Sequence, residues 1–399
     1  MTDDATGSGR KKRRMGLVWR LGAIAAVLAG YAAFKLLSQA PPEPAPEPDN
    51  PADRTFDGDS AKLERTVVVP TLDTPMPKGK NVIWCASFQI AWNHLKDDVI
   101  KEPVRVANAE EVAARLNKAP QSEADLPQGS YYAAAGYVSD GIVERIQKEM
   151  AARFPHGHQP DLSDVTGQTV IVAYAYLGAR VKFTIPFFDR REPLVFKGSA
   201  TEAARVRSFG TSETGAEANR RLARQVSILY ASEEQEPGEG EATRPKEFVI
   251  DPCKDSSPNQ IVLVSVPQKD TLAAALADVE GKVRSERRQG GLGHHDFLLV
   301  PNMAWRLEHH FKELERPDAV IQNRAAEGLP VREALQTILF RLDRSGAELE
   351  SEGEMFPAPA VPNYYIFDRP YLIYMKKRGA EHPFFVMWVD NAELLSKWK

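Results

Sequence analysis

Tyr365-Ile-Phe-Asp-Arg-Pro-Tyr-Leu-Ile-Tyr-Met375, followed by Pro383-Phe-Phe-Val-Met-Trp-Val389, is the stretch on which the reading of this chain turns. Both runs are nearly continuously apolar and aromatic, the pattern of strands buried on both faces rather than of strands with one face in water. Tyr364 to Met375 and Pro383 to Val389 are therefore expected to be strands. Upstream, Thr169 to Leu177 reads as a buried strand, and Val181 to Phe188 alternates polar Lys182, Thr184 and Pro186 with apolar residues. Gln225 to Tyr230, Lys246 to Ile250, Ile261 to Val266, Phe297 to Val300 and Thr337 to Leu342 add further strands.

Helical spacing belongs mainly to the first half. Asn81 to Cys85 reads as a short strand feeding a helix to about Asp97, with Phe88, Trp92 and Leu95 on one side. Glu110 to Lys118 reads as a helix, as does Gly141 to Phe154, where Ile142, Ile146, Met150 and Phe154 recur every fourth residue until Pro155 stops it. Thr271 to Arg287 is a later helix, and Glu233 to Thr243 reads as a solvated acidic loop. Helices and strands are mixed without alternating, which is an α+β pattern and not a doubly wound one. No longer period recurs, so no internal repeat is present.

Composition sets outer limits. The 399 residues are 43% hydrophobic and 27% charged, enough for a sizeable core and incompatible with wholesale disorder. A mean hydropathy of -0.39 excludes a multispanning membrane protein. Lys+Arg 51 against Asp+Glu 55 leaves a net charge of -4, which gives no basic surface for nucleic acid. Cys85 and Cys253 are too few for a disulfide framework or a cysteine-rich zinc site; they are either free and buried or joined in one bridge.

The N-terminus is a different kind of polypeptide. A polar tail, 1–14, ends in Arg10, Lys11, Lys12, Arg13 and Arg14, and Met15 to Leu37 is apolar apart from Arg20 and Lys35. That is enough for one bilayer crossing, with the basic side retained in the cytoplasm. A cleaved signal peptide competes, since Leu21 to Phe34 has the length of a signal core and Ser38-Gln39-Ala40 offers small residues; Pro41 argues against cleavage there. The expectation is a membrane anchor at 15–37 with the body extracytoplasmic, periplasmic or extracellular, and a secreted body if the segment is cut. Residues 38–65, rich in proline and acid, read as a stiff extended spacer, and the folded body is expected from Thr66 to Lys399.

The C-terminal stretch also resembles the signature of the serpins, in which an apolar residue, an acid or amide, a basic residue, proline and an aromatic lead into a strand. Phe367, Asp368, Arg369 and Pro370 fit, and Tyr371 stands where the family usually has Phe. Pro383 to Val389 resembles the family's last strand, with its usual glycine replaced around Trp388. Tyr176-Leu-Gly-Ala-Arg-Val-Lys-Phe-Thr-Ile-Pro-Phe187 resembles a family strand and turn, with Phe183 in a tryptophan position. Asn81-Val-Ile-Trp-Cys-Ala-Ser87 resembles its N-V-x-x-S-P opening, with Cys85 and Ala86 substituted. The matches run in the family's order over nearly the whole body; an N-terminal helix usual there is shortened. The resemblance implies a serpin-like α+β fold: a large mixed sheet, smaller sheets, helices mainly in the N-terminal half and an exposed reactive loop near the C-terminus. It places Asn81, Cys85 and Phe183 where the family controls opening of the large sheet.

It also implies a suicide-substrate inhibitor of serine proteases, whose cut loop inserts as a new strand. A middle strand must alternate with period two. After Gly346, Ala347, Leu349, Ser351, Gly353 and Met355 alternate with Glu348, Glu350, Glu352 and Glu354, so the glutamates would share one face. Leu349 and Arg344 depart from the family's small residue and hinge Glu. Counting by the family's spacing from Gly346 reaches Ala360, and counting back from Pro370 gives Pro359 or Ala360. Bonds followed by proline are poor substrates, which leaves Ala360-Val361 as the expected reactive bond and Pro359-Ala360 as the next. A small residue before the cut suits a shallow apolar primary pocket of the elastase or subtilisin kind. The chain itself then supplies no catalytic group, cofactor or metal and acts as a monomer on a target serine protease.

The competing expectation is a non-inhibitory, membrane-tethered binding module or scaffold, because Cys85-Ala86 and Phe183 depart from the family pattern where the resemblance places sheet opening, and Pro357, Pro359 and Pro362 would hinder the loop as a strand. Further behind is a metal site built from two of the pairs His156/His158, His294-His295 and His309-His310, although no H-E-x-x-H is present. Gly290-Gly-Leu-Gly293 lacks the context of a phosphate loop, and Trp84 and Trp92 read as core.

Overall fold

In the computed structural model three sheets carry the body. The first has five strands in the order Phe56–Asp59, Met303–His310, Val331–Leu342, Ile171–Arg180 and Tyr131–Tyr137. The second has eight: Gly290–Gly291, Ser227–Ala231, Phe248–Asp251, Asn259–Ser265, Tyr371–Lys377, Pro383–Val389, Asn81–Cys85 and Thr66–Val68. The third has four: Tyr364–Ile366, Phe297–Pro301, Ser208–Gly210 and Phe188–Asp189. The architecture is α+β with a large mixed sheet and smaller ones, as the sequence pattern indicates. The structure describes residues 53–399 except 156, 158, 166–168, 181, 213–215, 238–242, 286–289, 294 and 346–361. The tail, the apolar segment Met15 to Leu37 and most of the proline-rich spacer lie outside the described residues; among those described, no helix is long and apolar enough to cross a membrane.

One core joins the sheets. Helix Ala86–His94 lies between the five-stranded and eight-stranded sheets, with Phe88, Ile90 and Trp92 fully buried in the same cluster as Ile171, Ala173, Ala175, Ile338 and Phe340 on one side and Phe385 and Met387 on the other. Helix Ile142–Arg153 covers the opposite face of the five-stranded sheet. Its Ile142, Val143, Ile146 and Met150, spaced for one helical face, bury against Tyr132, Ala134, Val172, Tyr174, Tyr176 and Leu335. Gly141, at φ 76°, reverses the chain into this helix, a conformation costly for any residue with a Cβ. Helix Leu272–Arg284 starts where it does because the Thr271 hydroxyl accepts the Ala274 amide at 3.1 Å.

Several features differ from the sequence reading, the strands Tyr131–Tyr137 and Met303–His310 among them. The fold begins ahead of Thr66: Phe56–Asp59 pairs in parallel with Met303–His310, and Arg306 Nε donates to Asp57 at 2.7 Å. Among the described residues of the segment Val181 to Phe188 no continuous strand forms: Phe188–Asp189 is the only named strand there, and Pro186 has no donor to give. The expected strand Tyr364 to Met375 breaks at Asp368-Arg-Pro370 into two strands of different sheets. The acidic loop from Glu233 carries a hairpin, Gln235–Pro237 with Thr243–Pro245. Cys85 and Cys253 are free thiols, both buried.

Candidate functional site

Ile171–Arg180 and Val331–Leu342 are the centre of the five-stranded sheet, and they run parallel from Ala334 opposite Ala173 to Arg341 opposite Arg180. Their partners on either side, Tyr131–Tyr137 and Met303–His310, run antiparallel to them. Alternation divides each strand cleanly between its faces. Ala173, Ala175, Leu177 and Ala179, with Ala334, Ile338 and Phe340, face the main core, whereas Val172, Tyr174, Tyr176 and Leu335 face helix Ile142–Arg153. The inward row of Val331–Leu342 contains one polar residue, Gln336, and it is fully buried. Its Nε2 donates to Ser87 Oγ at 3.0 Å and to the Cys85 carbonyl at 3.2 Å, tying the strand to the start of helix Ala86–His94. Gln336 was not anticipated from sequence, although a lone amide in the apolar row Ala334, Ile338, Phe340 is the signal that marks it.

The residues expected to control the sheet separate into two kinds. Cys85 and Phe183 touch the central pair. Burial pushes the Cys85 thiol up to about 12, so it stays neutral, and Ser87 Oγ lies 3.2 Å from its sulfur. The Phe183 amide donates to the Ser345 carbonyl at 3.1 Å, and its ring packs against Phe187 at 4.9 Å and Phe209 at 5.9 Å between centroids. Asn81 does something else: its Oδ1 accepts the amides of Asp390 and Asn391, and its Nδ2 donates to Thr66 and Asn391. It pins the C-terminal segment to the eight-stranded sheet.

The described chain leaves the central pair at Ser345. The Phe187 amide donates to the Arg344 carbonyl at 3.1 Å, and Arg344 Nε donates back to the Phe187 carbonyl at 3.2 Å, so one backbone and one side-chain bond tie Arg344 to the segment that follows Ile171–Arg180. Asp343 organises the turn. It accepts the Ser345 amide at 2.9 Å, the Ser345 hydroxyl, and Arg341 Nε at 2.5 Å. Burial works to raise its carboxyl, but the two Ser345 donors and Arg341 prevail and hold it below the usual carboxylate range. The hinge residues Gly346, Ala347, Glu348, Leu349, Ser351 and Gly353, and the reactive-bond candidates Pro359, Ala360 and Val361, lie outside the described residues. The chain is described again from Pro362, whose carbonyl accepts the Thr243 amide at 3.0 Å, and the Asn363 amide donates to Asp296 at 2.8 Å. Strand Tyr364–Ile366 of the four-stranded sheet follows at once.

The signature residues form a joint between sheets. Phe367 is buried against Phe248 and Tyr371, at 5.1 Å from each. Arg244 holds Asp368 with both terminal nitrogens, at 3.0 and 2.6 Å, a fork geometry that fixes the turn. Arg369 pairs with Glu236 at 3.1 Å, and Pro370 precedes the strand that opens with Tyr371. Tyr371 is fully buried, its hydroxyl has no partner among the described residues, and burial pushes that hydroxyl's titration up. The tyrosine that departs from the family pattern therefore carries a stranded polar atom.

The histidine pairs do not assemble the anticipated metal site among the described residues. His156, His158 and His294 are not described. His309 and His310 occupy successive positions of one strand: His309 is half-buried beside Ser60 Oγ at 2.8 Å and pushed down to about 4, mainly by desolvation, and His310 meets Glu315 and Glu333.

No protein-family model and no curated protein matches the chain. Solved structures do. Serpin48 of the insect Tenebrio molitor is 14% identical over 78% of this chain and 92% of its own, with a TM-score of 0.44. A thyroxine-binding globulin in complex with thyroxine is 12% identical over 78% and 93%, with a TM-score of 0.48. Mouse protein-Z dependent protease inhibitor is 12% identical over 78% and 91%, with a TM-score of 0.47. These are proteins the chain is similar to, and no activity is carried over from them.

Proposed function

We propose that the chain is a serpin-type inhibitor of serine proteases, acting as a suicide substrate through the loop around 347–362. The observation that carries this reading is the parallel pair at the centre of an otherwise antiparallel set of four strands. Chain leaving Val331–Leu342 and folding back between the pair would run antiparallel to both, replacing one parallel ladder with two antiparallel ones, which are somewhat more stable per residue. The alternating stretch Ala347 to Met355 suits a neighbour such as Ile171–Arg180, which has 10 residues. Its small and apolar residues would face the core that Ala175 and Ile338 line. Its glutamates would face the side of helix Ile142–Arg153, where the alternation puts Arg180 and Arg341 opposite one another at the loop end of the pair and Tyr174, Tyr176 and Leu335 further along it. The chemistry of bond cleavage would belong to the protease, and the inhibitor would contribute the change of sheet.

The second reading, a non-inhibitory binding module, is supported by the Phe183 to Ser345 and Phe187 to Arg344 bonds, which close the entry, and by Pro357, Pro359 and Pro362. The two are separated by mixing the full chain with elastase or subtilisin and analysing the products under denaturing conditions. Inhibition predicts a covalent adduct of the summed masses less the C-terminal fragment, with the acyl bond at Ala360. Two ordinary cleavage fragments and an active protease would favour the module.

A further inference from the structure

Three side chains from three successive pieces of chain converge at the end of the five-stranded sheet remote from the loop. His310 closes strand Met303–His310, Glu315 ends the one-turn helix Lys312–Glu315, and Glu333 lies at the irregular start of strand Val331–Leu342. His310 Nδ1 is 3.0 Å from Glu315 Oε1 and 3.2 Å from Glu333 Oε2, and one ligand atom of each residue falls within 4.8 Å of the others. A tetrahedral zinc ion with bonds of about 2.0–2.1 Å has ligand-to-ligand edges of about 3.3 Å. The two measured edges fall short of that by a few tenths of an ångström at most, so a cation would fit with only a small spreading of the side chains.

Charge and support favour the same occupant. Two carboxylates address a single ring nitrogen, and one N–H cannot point at both. The neighbouring imidazole, His309, is engaged with Ser60 and brings no ligand. Lys312 Nζ reaches only the outer oxygen of Glu315, at 2.8 Å, from a side chain that is 73% exposed. A neutral imidazole, two carboxylates and one divalent cation sum to zero. The Ala334 amide donates to Glu315 Oε1 at 2.8 Å and holds that carboxylate in its aim, the outer support that metal ligands characteristically have. Glu315 is 6% exposed, Glu333 18% and His310 26%, so solvent reaches the open side and would supply a fourth ligand. A nitrogen donor and a low ligand number suit zinc rather than calcium or magnesium, which take six or more oxygens.

We propose that His310, Glu315 and Glu333 form a site for one zinc ion, with three protein ligands and one solvent position. The site fastens strand Val331–Leu342 to the strand and helix beside it, and it exists whether or not the loop inserts. The test uses the full chain, stripped with a chelator and dialysed against zinc chloride, then against cobalt(II) chloride. One bound zinc per chain is expected, with the visible absorption of four-coordinate cobalt on substitution. Glu333→Gln and His310→Asn should each weaken binding at least about tenfold, and His382→Gln should leave it unchanged. Melting curves show which variants are folded, and either ligand variant alone suffices. No zinc retained above the level of a chelator-treated control, or zinc retained equally by both ligand variants, would overturn the site.

Discussion

Both large sheets have a parallel pair at the rim, in the five-stranded sheet Phe56–Asp59 beside Met303–His310, but only the five-stranded sheet has another at its centre. In the eight-stranded sheet parallel pairing is confined to the rim, where Thr66–Val68 lies beside Asn81–Cys85, and every inner neighbour from Phe248–Asp251 to Asn81–Cys85 is antiparallel. In the five-stranded sheet a parallel pair occupies the centre, flanked by antiparallel strands. In the first sheet the strands from Phe248–Asp251 to Pro383–Val389 are already antiparallel to both neighbours. The second is one antiparallel strand short of a more regular arrangement, and the chain that emerges from its central strand at Ser345 is long enough to supply one. One sheet is a frame and the other is proposed as the part that changes.

Substitutions in the frame should cost the same before and after the loop is cut, and those in the central pair should not. Phe248→Ala has the largest expected effect. Its ring packs against Phe367 at 5.1 Å and Tyr365 at 5.3 Å between centroids and is fully buried, so chemical denaturation should show a loss of about 3–5 kcal/mol in both the intact and the nicked protein. Gln336→Ala removes the tie to Ser87 and the Cys85 carbonyl and should cost about 2–3 kcal/mol in the intact protein, with a smaller loss after nicking. Equal losses in the two forms would remove the distinction between the sheets.

Asp343 tests the turn before the loop. Its carboxyl is held below its unfolded value of about 3.9, so its contribution is present above that pH and is lost as pH falls through the folded value. Asp343→Asn should cost about 1–2 kcal/mol at pH 7 and progressively less as pH is lowered below about 3.9, read from a series of melts across that range. Tyr371→Phe is the smallest effect and has the opposite sign. Removing the unpartnered hydroxyl should stabilise the protein by about 1 kcal/mol, equally in the intact and nicked forms.

The frame is the more legible sheet because its strands are long apolar runs. Pro383–Val389 is read from sequence at its true limits, and Asn81–Cys85 is recognisable where it turns into a helix. The five-stranded sheet hides its strands. Tyr131–Tyr137 is mostly alanine and glycine, poor strand formers, and becomes a strand by pairing with Ile171–Arg180. Met303–His310 looks polar because Arg306, His309 and His310 are answered by partners distant in sequence, among them Asp57, Ser60 and Glu333. Phe56–Asp59 has no pattern of its own and is fixed only by lying beside that strand. Site residues follow the same rule. Phe183 and the turn at Asp368 to Pro370 carry local signals, but Asn81 has a role set by Asp390 and Asn391, which no local pattern reveals.

The most direct test is a thermal melt of the protein before and after a single cut between Met355 and Val361. Insertion into the central pair predicts a rise in melting temperature of more than about 10 °C on cutting. An unchanged or lower melting temperature would contradict it, leaving the central pair as fixed as the frame.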